Sequence, residues 1–415
     1  MHHGEFSLIV IQLCAALLLL TAARHYTRHS PLPGEVWVLL AGIGYGIAGR
    51  LSGSEFLPRL DLSPDVVLFV LLPLLIFASG RLINPDALRT EALPIGLYAV
   101  AGVVATTFLV GVPVAYILDI GLLHGLLFGA AIAATDPVAV GAIFHRFHLP
   151  EKLELMVEGE SLFNDGTTVV LFQLLASLAI AGAAFDALDT GVTFLWAVLG
   201  AFPLGWVLGW ISSQILRVWH EHHPFFPVTM TMVLALLSFV VAEHFLHLSG
   251  VIAVLVAAMT FVQYHRQNRA QLQDPQKHQD DARIFDSFWE YIAIVANGFL
   301  FFALGAETGA HPYGLTLGSA LLTVVVLMAS RSVVIYLGGG MLAAVGRRLP
   351  WSWLAIVNLG GLRGAVSAAL ILTIAHDYPH REIFLCLAFT LITASLIIQP
   401  LAMHFYLKQT KLAVA

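Results

Sequence analysis

Glu160, Ser161, Asn164 and Asp165 stand at offsets of 0, 1, 4 and 5 within a mostly apolar stretch, so a helix there carries one polar face. Two carboxylates, a hydroxyl and an amide on one face offer oxygen to a hard monovalent cation or a proton. Two further sequences place charge where apolar residues surround it: Thr135-Asp136-Pro137, and Gly361-Leu362-Arg363-Gly364, with Arg331 adding a second isolated guanidinium. A charge at mid-membrane costs about 2.5 to 3.5 kcal/mol on insertion scales, so charges retained there point to an ion path.

These residues need elements that hold them at depth. The 415-residue chain is 59% hydrophobic and 11% charged, which excludes an ordinary soluble domain and indicates an all-α polytopic membrane protein. Hydrophobic runs punctuated by Gly, Pro and charge predict thirteen spans: 6 to 23, 34 to 49, 65 to 82, 92 to 118, 123 to 145, 156 to 183, 192 to 217, 225 to 243, 248 to 263, 287 to 306, 314 to 345, 352 to 375 and 383 to 407. The first is read as a retained span rather than a signal peptide, because no Lys or Arg precedes it and Arg24 and Arg28 follow. With the N-terminus outside and the C-terminus cytoplasmic, fifteen of the twenty basic residues fall inside, three fall outside (Arg50, Arg59, Arg381), and Arg331 and Arg363 lie within spans. Tyr264 to Asp286, polar and mixed in charge, reads as a solvated inner connection.

The fifth and twelfth spans contain helix breakers at mid-depth, Pro137 in one and the glycines around Arg363 in the other. They are seven spans apart and so enter from opposite sides, as expected of two inverted six-helix repeats, spans 1 to 6 and 8 to 13, with crossed discontinuous helices. Interrupted helices expose half-helix ends whose partial charges need partners. Asp136 can balance N-terminal ends, and Arg363 or Arg331 can balance C-terminal ends.

The sixth span supplies the expected ion ligand. If it begins near Leu155, Asp165 lies about 15 Å deep, near the midplane. Asp136 and Asp165 against Arg331 and Arg363 balance formally and leave Glu160 in excess, but the arithmetic alone does not say which acid is left over. Asp165 fits the exchanging role if Glu160 is held by Arg363, with Asn164 bridging the pair. Ser161, carbonyls freed near Thr135 and water would complete an oxygen shell.

Together these motifs resemble the sodium/proton exchanger family, the NhaP-like branch of the monovalent cation:proton antiporters, over nearly the whole chain. The shared features are Thr-Asp-Pro in the fifth span, Glu-Ser-x-x-Asn-Asp-Gly in the sixth, Ser330-Arg331 in the eleventh and Gly-Leu-Arg-Gly in the twelfth. The resemblance implies a homodimer whose core, residues 92–183 and 314–407, moves against a dimerisation scaffold, residues 1–82 and 192–306. It implies electroneutral exchange of Na+ or Li+ (or K+) for H+ in the cell membrane. Asp165 would carry ion and proton, Thr135, Ser161 and Asn164 would serve as ligands, Asp136 would act through water or structure, and Glu160 would pair with Arg363. One position departs from the family pattern: Leu72-Pro73-Leu74-Leu75-Ile76-Phe77-Ala78-Ser79-Gly80 offers Ala78 where many relatives have an acid or amide, with Ser79 as a weak substitute.

Other activities find less support. Cys14 and Cys386 both fall in apolar stretches, which suggests packing rather than redox chemistry. No basic nucleic-acid patch and no cofactor motif is present. His220-Glu221-His222-His223 and His244-x-x-His247 raise a metalloenzyme as a rival, but they read as interfacial histidines. A passive cation uniporter using the same polar centre is the second rival.

Overall fold

The computed structural model describes residues 18, 21–22, 33–52, 63–136, 144, 147, 149–179, 186–219, 225–269, 275–311 and 316–410. Most of the expected first span, Pro137, and His220, His222 and His223 lie outside the described residues. Among those described, the ordered elements are helices: α1 Gly34–Leu51, α2 Pro64–Gly80, α3 Pro85–Thr90, α4 Ala92–Leu118, α5 Leu122–Ala131, α6 Glu151–Ala179 and α7 Ala187–Trp219. They continue as α8 Phe225–Leu246, α9 Gly250–Arg269, α10 Pro275–Ala310, α11 Leu317–Ala344, α12 Trp351–Leu359, α13 Ala365–Leu372 and α14 Arg381–Thr410. Seven of the described helices (α4, α6, α7, α8, α10 from Ala282, α11 and α14) are long and apolar enough to cross a membrane. The protein is a multi-pass membrane protein. The shorter apolar helices include α2 and α5.

Most boundaries lie within a few residues of those expected. The exception is the polar connection from Tyr264 to Asp286, where α9 runs on to Arg269 and α10 begins at Pro275. A hydropathy reading stops where the apolar run stops, but backbone hydrogen bonding carries a helix on into water at little cost. Short-range chemistry sets several starts. Asn84 Oδ1 accepts from Asp86 N at α3, Thr316 Oγ1 accepts from Ser319 N at α11, and Pro64 occupies the first turn of α2, where its missing N–H is not needed.

Helix α9 is buried along most of its length. Val251 to Leu255 and Ala257, Ala258 and Phe261 are all essentially without exposure, consistent with a helix apolar on every face. On the periphery α1 lies along α10 at backbone contact. A methyl group on Gly42 or Gly46 would overlap the backbone of Phe302 to Ala310, and one on Gly305 or Gly309 would overlap α1. Small residues permit this approach where lipid supplies no hydrophobic drive between helices. A π-helical segment, Leu97–Gly102, interrupts α4 and is bonded to both neighbours. Thr167 of α6 donates to the Ala99 carbonyl, and the Tyr98 hydroxyl donates to the Ile335 carbonyl of α11 at 3.1 Å.

Candidate ion-binding site

The twelfth expected span is interrupted. Helix α12 ends at Leu359, Gly360 to Gly364 are not helical, and α13 starts at Ala365. Helix α5 likewise stops at Ala131, and Ala134 to Asp136 are not helical. The segment after α5 meets the break between α12 and α13. Asp136 N donates to the Leu362 carbonyl at 2.8 Å, and Ser367 Oγ reaches the Ala134 carbonyl at 3.4 Å. Gly364 allows the approach, since a Cβ there would overlap the Asp136 side chain. That carboxylate therefore lies against the N-terminal end of α13, where partial positive charge accumulates.

Helix α6 is unbroken and brings its polar face to this junction, with Glu160, Ser161, Asn164 and Asp165 all buried. Asn164 is committed to Thr135 from both ends of its amide. Thr135 N donates to Asn164 Oδ1 at 3.2 Å, and Asn164 Nδ2 donates to Thr135 Oγ1 at 2.7 Å. Thr135 Oγ1 also hydrogen-bonds Ser161 Oγ at 2.9 Å. An unwound backbone N–H buried at this depth needs an acceptor, and the amide oxygen of α6 provides it.

The arginines divide their work differently from expectation. Glu160, 1% exposed, is held by Arg331 and not by Arg363: Arg331 Nη1 and Nη2 lie 2.5 and 2.9 Å from its two carboxylate oxygens. Arg331 Nη2 also donates to the Val357 carbonyl in the last turn of α12, at 3.0 Å. Arg363 instead donates to the Ala133 and Ala134 carbonyls beyond the end of α5, at 2.6 and 3.1 Å. Each guanidinium thus faces carbonyls at or just beyond the C-terminal end of a helix, where partial negative charge collects. The expected pairing of Glu160 with Arg363, bridged by Asn164, failed because the polar face of α6 is broad. Residues five apart diverge by about 140° around a helix, so Glu160 and Asp165 look toward different neighbours.

Asp165 is 6% exposed, and its Oδ1 is buried with no hydrogen-bond partner. It lines a small recess formed by Leu75, Ile76 and Ser79 of α2, Ala134, Thr135 and Asp136 after α5, Leu162 of α6, Asn297 of α10, and Gly364, Ala365 and Val366. A buried acceptor with no donor, beside a mainly apolar recess that Ser79, Thr135, Asp136 and Asn297 also line, suits a cation or a proton, because either would satisfy the oxygen. Ala78 is buried and does not line the recess, whereas its neighbour Ser79 does.

Asn297 was not anticipated from sequence. The available signal was its isolation, since it is the only side chain able to hydrogen-bond between Ile292 and Ala306. Two other polar sites also went unanticipated. Arg381 Nη1 bonds buried Glu307 of α10 at 3.2 Å, and Glu243 of α8 accepts from Gln173 of α6 at 3.1 Å and from Gly250 N at 2.9 Å.

Comparison with known proteins agrees with this architecture. The chain is 28% identical to the Na(+)/H(+) antiporter NhaH of Halobacillus dabanensis, covering 98% of each. It is 29% identical to the Na(+)/H(+) antiporter NhaP of Pseudomonas aeruginosa, covering 95% of each. Among solved structures, the sodium proton antiporter MjNhaP1 of Methanocaldococcus jannaschii superposes with a TM-score of 0.80 at 19% identity, over 97% of this chain and 99% of that one, so the two share a fold. The sodium/hydrogen exchanger transmembrane family matches residues 14–409, nearly the whole length, and the chain belongs to that family.

Proposed function

We propose that this protein is a secondary active antiporter of the cell membrane that exchanges Na+ or Li+ for H+, with Asp165 binding cation and proton in alternation. The observation that carries the reading is the buried Asp165 Oδ1, which no donor satisfies and which lines an oxygen-bearing recess. Every other charge at this depth has a partner. Glu160 is spent on Arg331, Arg363 on the carbonyls after α5, and Asp136 on the N-terminal end of α13. The carboxylate of Asp165 is the group left to be neutralised by whatever the site carries.

Competition follows from that accounting. One acid can be neutralised by one monovalent cation or by one proton, and an empty anionic site crosses a low-dielectric barrier only at a cost of several kcal/mol. Exchange is therefore one for one and electroneutral. Na+ as cargo is supported by the names of the relatives, which are Na(+)/H(+) antiporters. In this reading the chain has thirteen spans in two inverted repeats and works as a homodimer. A core of residues 92–183 and 314–407 moves against the remainder in an elevator-like cycle. Thr135 and Ser161 contribute oxygen to the ion. Asn164 acts by holding Thr135, since both ends of its amide are already engaged there.

The test is purified protein in proteoliposomes carrying a pH-sensitive dye, with Na+, Li+ or K+ added under an imposed pH gradient. Proton efflux driven by Na+ or Li+ and independent of membrane potential is expected, with Asp165→Asn inactive. Cation currents indifferent to the proton gradient, or full exchange by Asp165→Asn, would overturn the reading.

A further inference from the structure

We infer that Asn297 supplies a neutral amide oxygen, from the helix facing Asp165, to the cation bound at that carboxylate, and so sets cation affinity and selectivity. This rests on the antiport reading above and specifies its ligand set.

The argument begins with two asparagines at one site. Asn164 is spent, with its oxygen accepting from Thr135 N and its nitrogen donating to Thr135 Oγ1. Asn297 is 7% exposed, its Oδ1 is buried without a hydrogen-bond partner, and it lines the same recess as Asp165. Leaving a buried carbonyl unsatisfied is unfavourable, and this one belongs to the single polar side chain between Ile292 and Ala306. Two oxygens therefore border one recess, neither satisfied by the protein: Asp165 Oδ1 and Asn297 Oδ1.

The chemistry of a small monovalent cation fits that pair. Hard cations take oxygen from carboxylates, amide carbonyls, hydroxyls and water, and preference among them depends on ligand number and dipole strength. Ala78 brings no oxygen from α2, so the wall opposite α6 offers the Ser79 hydroxyl and the Asn297 amide. A neutral amide adds a dipole without a second charge. It strengthens cation binding while leaving Asp165 as the acid that competes for the proton, and it leaves the one-for-one charge balance intact.

The experiment compares Asn297→Leu, Asn297→Ala and Asn297→Asp with wild type and with Asp165→Asn in the same proteoliposome assay, reading KM and maximal rate for Na+, Li+ and K+ separately. Asn297→Leu keeps the volume and removes the oxygen. The expected result is a KM for Na+ raised about tenfold, the loss of one oxygen contact to a charged partner, with the maximal rate changed less than KM and the Na+/K+ preference altered. Asn297→Asp keeps an oxygen and discards the N–H donors, so it should hold or lower KM at alkaline pH. A side chain that merely donated to Asp165 would give the opposite result there. Should Asn297→Ala not fold, the Leu and Asp variants still decide the question. Unchanged KM values for all three cations, or a uniform loss of rate without change in KM or selectivity, overturns the assignment of Asn297. Exchange by Asp165→Asn would overturn the antiport reading itself.

Discussion

Replacing Arg331 by Met tests the charge arrangement most directly, because the structure gives that guanidinium three bonds and leaves it only 5% exposed. Arg331 meets both oxygens of Glu160 and the Val357 carbonyl, and Glu160 is 1% exposed. Removing one partner of a buried ion pair costs about 3 to 5 kcal/mol, because the remaining charge is left without compensation. The Val357 carbonyl loses its donor as well, a further penalty of about 1 kcal/mol or more. Arg331→Met should therefore lower stability by at least about 3 kcal/mol, as should Glu160→Gln, which strands the guanidinium. The double variant buries no unpaired charge and should recover about 2 to 3 kcal/mol of the summed loss. Denaturant titration of detergent-purified single and double variants gives the coupling energy. A parallel cycle of Glu160→Gln with Arg363→Met should show weaker coupling, since Arg363 bonds the carbonyls of Ala133 and Ala134. If the Arg331 and Glu160 effects simply add within about 0.5 kcal/mol, or if Arg363 is the more strongly coupled residue, the assignment of partners is wrong.

Asn164→Ala should cost about 1 to 3 kcal/mol by stranding the Thr135 N–H, and should slow Na+-driven proton flux in proteoliposomes. Gly364→Ala should destabilise by about 1 to 3 kcal/mol and impair exchange, because the new methyl overlaps Asp136 where the segment after α5 touches the break between α12 and α13; unaltered melting and flux would contradict that contact. Gly305→Val should disrupt the pairing of α1 with α10 and lower the yield of monodisperse protein on size exclusion, since its Cβ would meet the backbone of Leu39 to Ile43. His380, in the connection before α14, has its pKa lowered by burial and by neighbouring His124, so the folded state favours the neutral ring. The unfolded chain then takes up the proton first, and thermal stability should fall as pH drops below about 6.5; His380→Gln should flatten that slope, and an identical slope in the variant would rule His380 out as its source.

Much of the site could be read from residue types, because polarity inside an apolar run is conspicuous. Glu160, Ser161, Asn164 and Asp165 on α6, the break at Gly360 to Gly364, and the isolated Arg331 and Arg363 all stood out for that reason. Partners were not legible. Whether Glu160 meets Arg331 or Arg363 depends on how α6 is rotated against α11, and the offsets of residues along α6 do not encode that rotation. Asn297 and the Glu307 to Arg381 pair were missed for a related reason: a single polar residue on a long apolar helix has no local pattern, and its significance comes from what faces it. The ends of α9 and α10 were misplaced because polar residues mark the edge of the membrane, not the end of a helix.

The polar bonds at the site also bear on what can move together. Thr135 is tied to Asn164 and Ser161, Asp136 to Leu362, Arg363 to the carbonyls after α5, and Arg331 to both Glu160 and Val357. These links join the end of α5, α6, α11, α12 and α13 into one network in which every tie involves buried groups that would be costly to expose. Asp165 sits on the intact helix of that network, so its position is fixed by a continuous hydrogen-bonded backbone while the interrupted segments bring carbonyls and hydroxyls beside it. Helices α2 and α10 meet the recess from outside the network, through Leu75, Ile76, Ser79 and Asn297. In the cycle proposed above, a body that carries its own acid and its own half-helix compensation would pass such a wall without breaking an ion pair at the recess, while the buried Arg381–Glu307 pair crosses the same division and would have to part. That division is what the proposed alternating-access cycle centred on Asp165 requires, and in it Asn297 would be a ligand that the moving core leaves behind.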